Sequence, residues 1–139
     1  TSIVHGDFRL DNMIYKNNKV IGVLDWELST LGHPVADFSY HCLTWRTEPI
    51  FYDYPKLKEL GVPNEIEYRD MYSEATGQDL SENWEYYMAF NIFKVAAICQ
   101  GILGRVRDGT AANKHAEERG MKVYPLSEGA WSIVENNFK

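Results

Sequence analysis

The sequence predicts an α+β fold in which a β-rich opening is followed by a run of helices. Three observations carry that expectation. Residues 1–27 hold two short apolar runs rich in β-formers, set on either side of an Asn-Asn turn. From Pro34 onward, apolar residues recur at steps of three and four instead. Pro, Gly and Asn stand between the segments, where helices start and stop.

Ile3 and Val4 read as the end of a strand. Met13-Ile14-Tyr15 and Val20-Ile21-Gly22-Val23-Leu24 read as the two arms of a hairpin. Lys16-Asn17-Asn18-Lys19 is its turn, because Asn tolerates the positive φ that tight hairpins require. Pro34 suits the first turn of a helix, and Val35, Phe38, Cys42 and Trp45 follow at helical spacing. Residues 47–62 contain Pro49, Pro55 and Gly61 and read as an irregular connection. Asn64 with Glu67 forms a capping-box pattern, and Gly77 is the expected stop. Ser81 is the expected cap of a long helix running to about Asp108, with Trp84, Met88, Ile92, Val95, Cys99 and Ile102 near one face. Gly101 and Gly104 are expected to admit a neighbouring helix. Residues 110–120 read as a short exposed helix. A last amphipathic helix is expected from Leu126 to Asn137, with Trp131 and Val134 inward. Trp84, Tyr86, Tyr87 and Phe90 are expected in the helix core; the alternative is that some of them line an acceptor pocket.

The 139 residues are enough for one domain with a real core. Hydrophobic residues make up 45% and charged residues 24%, as in an ordinary globular protein. The aromatic share of 14% points to aromatic helix packing or an aromatic pocket. A net charge of −6 argues against a nucleic-acid partner, which needs clustered Lys and Arg. It does not exclude a phosphate ligand, since a divalent metal supplies positive charge. Cys42 and Cys99 sit in apolar stretches without a CxxC and read as buried thiols, with a disulfide as the alternative. No apolar run is expected to reach the roughly 18 residues needed to span a membrane. The first residues lack a signal-peptide pattern, and cytoplasm is the default location. The chain opens almost directly on its candidate site, so a fragment or separated domain is expected.

Phosphoryl transfer to an alcohol needs one carboxylate to take the hydroxyl proton, oxygen ligands for one or two Mg²⁺, and a cation near the moving phosphoryl group. Asp7 lies in a loop after an apolar strand. Asn12 follows five residues later, and Asp25 ends the second hairpin arm, thirteen residues beyond Asn12. Strand out, turn and strand back would return Asp25 to Asn12. Asp7 and Asn12 taken alone would read as loop or capping residues. Asp11 reads as a solvent-facing residue or a turn former, and His33, His41 and His115 show no metal-ligand spacing.

The pattern His5-Gly6-Asp7 with Asn12, then an apolar strand ending in Asp25, resembles the aminoglycoside phosphotransferase family, which shares the protein-kinase-like fold. The fuller wording HGDFRLDN with VLDWELSTLGHPVADFSY is similar to the branch related to acyl-CoA dehydrogenase-like proteins. The resemblance is specific over residues 3–42 and diffuse over the later helices. It implies that residues 1–139 are the mostly helical C-terminal, catalytic and acceptor-binding lobe, with the hairpin carrying the catalytic and metal loops. It implies Asp7 as catalytic base and Asn12 and Asp25 as Mg²⁺ ligands on bound ATP. Arg9 becomes a phosphate contact, with a surface salt bridge as the alternative. His5 becomes a structural brace rather than an acid or base. Asp37 is implied to hold the catalytic loop through its backbone, and Glu27 lies near the metal site by sequence. The implied partners are a small hydroxylated substrate and an N-terminal lobe that this chain lacks. No G-x-G-x-x-G or Walker pattern occurs in the sequence. The implied acceptors are hydroxyacyl-CoA or hydroxy acids, aminoglycosides, and choline-like or amino-acid alcohols. Two rival readings are an inactive kinase-like binding module and a module that forms homodimers through aromatic helices.

Overall fold

The computed structural model describes residues 1–51 and 59–138. The strands are β1 (Ser2–Val4), β2 (Met13–Lys16), β3 (Lys19–Val23) and β4 (Thr30–Gly32). The helices are α1 (Pro34–His41), α2 (Leu43–Phe51), α3 (Glu65–Thr76), α4 (Trp84–Arg107), α5 (Ala116–Met121) and α6 (Val123–Asn137). The chain is thus a mostly helical α+β structure with two small antiparallel sheets, β1–β4 and β2–β3.

The hairpin forms where the sequence places it. Asn17 and Asn18 both take the left-handed conformation, at φ 51 and 57, as two-residue hairpin turns demand. Met13 pairs with Val23, and a bulge interrupts the ladder between Ile14 and Tyr15. Strand β4 has no counterpart in the sequence reading. It exists because its Thr30 and Leu31 pair with Val4 and Ile3 from the distant start of the chain.

Helix α1 starts at Pro34, and the His33 side chain accepts the Val35 N–H. The helical path breaks at Cys42, so Trp45 belongs to α2 rather than to a continuation of α1. Helix α2 also runs on to Phe51, which corrects the irregular connection expected from residue 47. The rest of that connection, residues 52–58, lies outside the described residues. The capping box of α3 is formed: Glu67 N–H donates to Asn64 Oδ1 at 3.0 Å, and Asn64 N–H donates to Glu67 Oε2 at 2.9 Å. Gly77 ends α3 at φ 70. Ser81 does not cap α4. Its N–H closes a turn onto Asp79, and Asn83 takes the cap position.

Helix α4 packs against α1, α2, α5 and α6. Its Trp84, Met88, Ile92 and Cys99 are buried as expected, with Leu126 and Ala130 of α6 facing them. Burying a side chain such as Met88 or Leu126 contributes roughly 1.5–3 kcal/mol. Tyr86 (54% exposed), Phe90 (49%) and Trp131 (58%) lie outward, contrary to expectation, because the core face of each helix is already filled by its neighbours. The close helix approach is made by Gly120 rather than Gly101 or Gly104: a Cβ on Gly120 would meet Leu103 at 2.6 Å. Both cysteines are free and buried.

Helix α4 is 24 residues long with mean hydropathy 1.3 over its most apolar window, so by length and composition it could cross a membrane. This overturns the expectation that no such stretch exists, because its few polar side chains are spread out. Its buried residues form the centre of the helical core. One of them is polar: Asn91 donates to Ala36 O at 3.0 Å and Ser39 Oγ at 2.8 Å, pinning α4 to α1 on either side of Asp37. Arg46 ties three helices together by donating to both Glu65 and Glu85.

Candidate active site

The loop between β1 and β2 is held mainly through its backbone. The Asp37 carboxylate, in the first turn of α1, accepts the N–H of His5 and, at 2.7 Å, the N–H of Gly6. Hydrogen bonds to a carboxylate are stronger than neutral ones, so the loop start is fixed to the helical body. Gly6 sits at φ 86, and a Cβ there would lie 2.6 Å from the Leu28 carbonyl oxygen. Only glycine fits both the conformation and the space.

His5 is buried. Its Nδ1 accepts the Asp7 N–H at 3.2 Å, so the ring proton sits on Nε2 and is donated to Leu24 O at 2.7 Å. One imidazole therefore joins the Asp7 loop to the segment just before Asp25. The Trp26 ring, 4.7 Å from the His5 ring, covers it, and the Trp26 indole N–H donates to Val23 O at 2.9 Å.

Asp7 and Asn12 are brought into direct contact. Asn12 Nδ2 donates to Asp7 O at 2.9 Å and to Asp7 Oδ2 at 3.0 Å. Arg9 Nε lies 3.4 Å from Asp7 Oδ2, with side chains 51% and 18% exposed, and 4.0 Å from Asp11. Arg9 thus faces the Asp7 carboxylate from the solvent side. Asp25 arrives by hairpin register: Leu24 N–H donates to Asn12 O at 2.8 Å, and Asp25 follows at once. Asp25 takes the left-handed conformation at φ 65 and is exposed. A non-glycine residue there is uncommon, and Asp is one of the few that adopts it at modest cost. Glu27 lies in a 3-10 turn, Trp26–Leu28.

The donor set suits Mg²⁺. Both Asn12 amide hydrogens are directed at Asp7, which leaves Asn12 Oδ1 as an oxygen donor. The Asp25 carboxylate makes no hydrogen bond or ion pair among the described residues. Asn12 Oδ1 and a carboxylate such as that of Asp25 are hard oxygen donors, and Mg²⁺, which keeps several of its waters, needs only one or two such side chains.

A cavity of about 430 Å³ adjoins the loop, lined by Ile3, Phe8, Pro34, Asp37, Phe38, Tyr68, Met71 and Tyr72. Within it Phe38 stacks on Tyr72 at 3.8 Å. A smaller hollow of about 80 Å³, between His33, Asp79 and Tyr87, contains none of the motif residues. His41 packs against Phe8 at 5.6 Å, and burial holds its imidazole below the usual range, with the Phe8 backbone partly offsetting this.

Two contributors lie outside the motif reading. Trp26 was visible in the sequence but carried no assigned role. Lys94, on α4, donates to the Gly6 carbonyl. It is the only charged residue in residues 86–104, and that isolation within an apolar helix was the available signal.

The profile of the phosphotransferase enzyme family matches residues 1–90. The chain is 44% identical over 141 residues to acyl-CoA dehydrogenase family member 10 of Mus musculus, covering 96% of this chain and 13% of that protein. It is 34% identical over 143 residues to acyl-CoA dehydrogenase family member 11 of Homo sapiens, covering 99% of this chain and 18% of that protein. A crystal structure from Ralstonia eutropha, provisionally named an aminoglycoside phosphotransferase, superposes with a TM-score of 0.86 at 42% identity. That match covers 97% of this chain and 43% of the solved one. The chain therefore spans less than a fifth of these two curated relatives and under half of the solved relative.

Proposed function

This chain belongs to the phosphotransferase enzyme family, and from that premise we propose that it is the catalytic, acceptor-facing lobe of an ATP- and Mg²⁺-dependent small-molecule kinase. An N-terminal nucleotide lobe, supplied outside these 139 residues, would complete the enzyme. The observation that carries the reading is the Asp7–Asn12 contact, with Leu24, the residue before Asp25, bonded to Asn12 across the hairpin.

In this reading Asp7 Oδ2 is held by Asn12 and Arg9, and Oδ1 is left to take the acceptor's hydroxyl proton. Asn12 Oδ1 and the Asp25 carboxylate would hold Mg²⁺, which when bound neutralises charge on the nucleotide phosphates. Arg9 offers a cation to the phosphoryl group in transfer. His5 and Asp37 keep the base and the metal loop in one arrangement, so positioning is built in before substrate arrives. The acceptor class we favour is a hydroxyacyl-CoA or related hydroxy acid, because the curated relatives named above are acyl-CoA dehydrogenase family members. An aminoglycoside-like alcohol, as in the name of the solved relative, is the alternative.

The test is ATP consumption by the full-length protein across hydroxyacyl-CoA, aminoglycoside and choline-like acceptors. Asp7→Ala should lower kcat by about 10²–10⁴-fold while thermal unfolding stays near the parent's. Asp25→Ala should weaken nucleotide binding only when Mg²⁺ is present, read by titration calorimetry. Near-parental turnover of the Asp7 variant would overturn the reading.

A further inference from the structure

Lys94 enters the site from the helical body. Its Nζ donates to Gly6 O at 2.5 Å, across a sequence separation of 88 residues. The same ammonium lies 4.5 Å over the ring of Tyr40 on α1.

The Gly6 carbonyl and the Asp7 N–H belong to one peptide plane. Its N–H end is met by His5 Nδ1, an acceptor. Its carbonyl end is met by Lys94, a donor with no acceptor capacity. Rotating that peptide by half a turn would aim an N–H at the ammonium and a carbonyl at the imidazole lone pair. Both contacts would become repulsive. The peptide follows Gly6 at φ 86, where the absence of a Cβ leaves the backbone freest to rotate. Asp37 secures the two preceding N–H groups but makes no contact with this plane. The Tyr40 ring face gives the ammonium a second attractive contact.

We propose that Lys94 is a positioning residue for phosphoryl transfer: it locks the Gly6–Asp7 peptide in one orientation and thereby aims the Asp7 carboxylate. This rests on the reading of Asp7 as the base. Lys94 touches no reacting atom in this scheme. Its contribution belongs to the geometry of the transition state rather than to the binding of either substrate.

The experiment compares Lys94→Met and Lys94→Arg in the full-length protein. Lys94→Met should lower kcat about 10-fold or more, with KM for ATP and for the acceptor changed less than about twofold. Lys94→Arg, which keeps a donor-only cation, should recover most of the loss. Amide hydrogen exchange in Lys94→Met should quicken over Gly6–Phe8 and stay at parental rates along α4. Parental kcat in Lys94→Met would overturn the proposal. So would a loss of activity that tracks a fall in Tm and is not rescued by Arg. If Lys94→Met does not fold, Lys94→Gln replaces it, with the same expectations. If the parent shows no transfer, or Asp7→Ala retains turnover, the kinase reading fails; the Gly6–Phe8 exchange rates then still decide whether Lys94 locks the peptide.

Discussion

Around α4, order comes from burial: Met88 and Leu126 are fully enclosed, and Trp84, Ile92 and Cys99 nearly so. Around Asp7, order comes from direction. Four side chains, those of His5, Asn12, Asp37 and Lys94, bond the backbone of residues 5–7, and Phe8, Arg9 and Leu10 remain partly or fully exposed. Burial is non-directional and tolerates repacking. Hydrogen bonds aimed at single peptide groups specify one geometry but add only about 0.5–1.5 kcal/mol each, rising to about 1.5–3 when one partner is charged. The helical body should therefore set stability, and the loop network should set activity.

That separation can be broken in three ways. The largest effect is expected in the core. Met88→Ala should cost about 2–5 kcal/mol in urea unfolding, since it empties a fully enclosed site on the central helix. A loss below 1 kcal/mol would mean that α4 is not the main source of stability. Asp37→Asn should cost less, about 1–3 kcal/mol, because an amide nitrogen then faces one of the two N–H donors. Its sharper signature should be faster amide exchange at His5 and Gly6; unchanged exchange there would break the comparison from the loop side.

The smallest effect is the dependence of stability on pH. Burial holds His41 below its ordinary value of 6.5, so between its depressed folded value and 6.5 the unfolded chain binds a proton that the folded chain does not. Stability should rise with pH across that interval and be level above it, and His41→Phe should flatten the rise. Glu65 gives the helical body its own acid limb. Burial alone would raise its carboxyl, but the Arg46 guanidinium and the Trp84 indole together hold it below the usual range. That stabilisation is present above the ordinary carboxyl value and is lost as pH falls through the lower folded one. Arg46→Met should remove the acid limb without changing the limb from His41.

What the sequence made legible was local. The Asn17-Asn18 turn, the Asn64–Glu67 capping box and the Gly77 stop each depend on neighbours within a few residues, and each formed where expected. The return of Leu24 and Asp25 to Asn12 was also readable, because hairpin register is fixed by the turn. What stayed hidden was non-local. Strand β4 exists only through pairing with β1, and Lys94 acts on a carbonyl 88 residues away. Asn91 carries no local signal of its role, because its partners Ala36 and Ser39 lie more than 50 residues away. Trp131 misled because helical spacing identifies a stripe but not which neighbouring helix is there to cover it.

The hairpin works as a ruler. Its tip at Asn17-Asn18 is exposed, and neither residue makes any of the bonds that hold the Asp7 loop. Extra residues spliced in at that tip lengthen the loop and leave Met13 opposite Val23. Deleting a single residue between Lys19 and Val23 has a different outcome, since each one-residue step along a strand reverses the face that a side chain presents. Leu24 would then lose its bond to Asn12 or to the His5 imidazole, and Asp25 would shift with it. Length is thus free at one end of this ribbon and fixed to the residue at the other, which makes the tip the natural place to graft a tag or a fluorescent reporter.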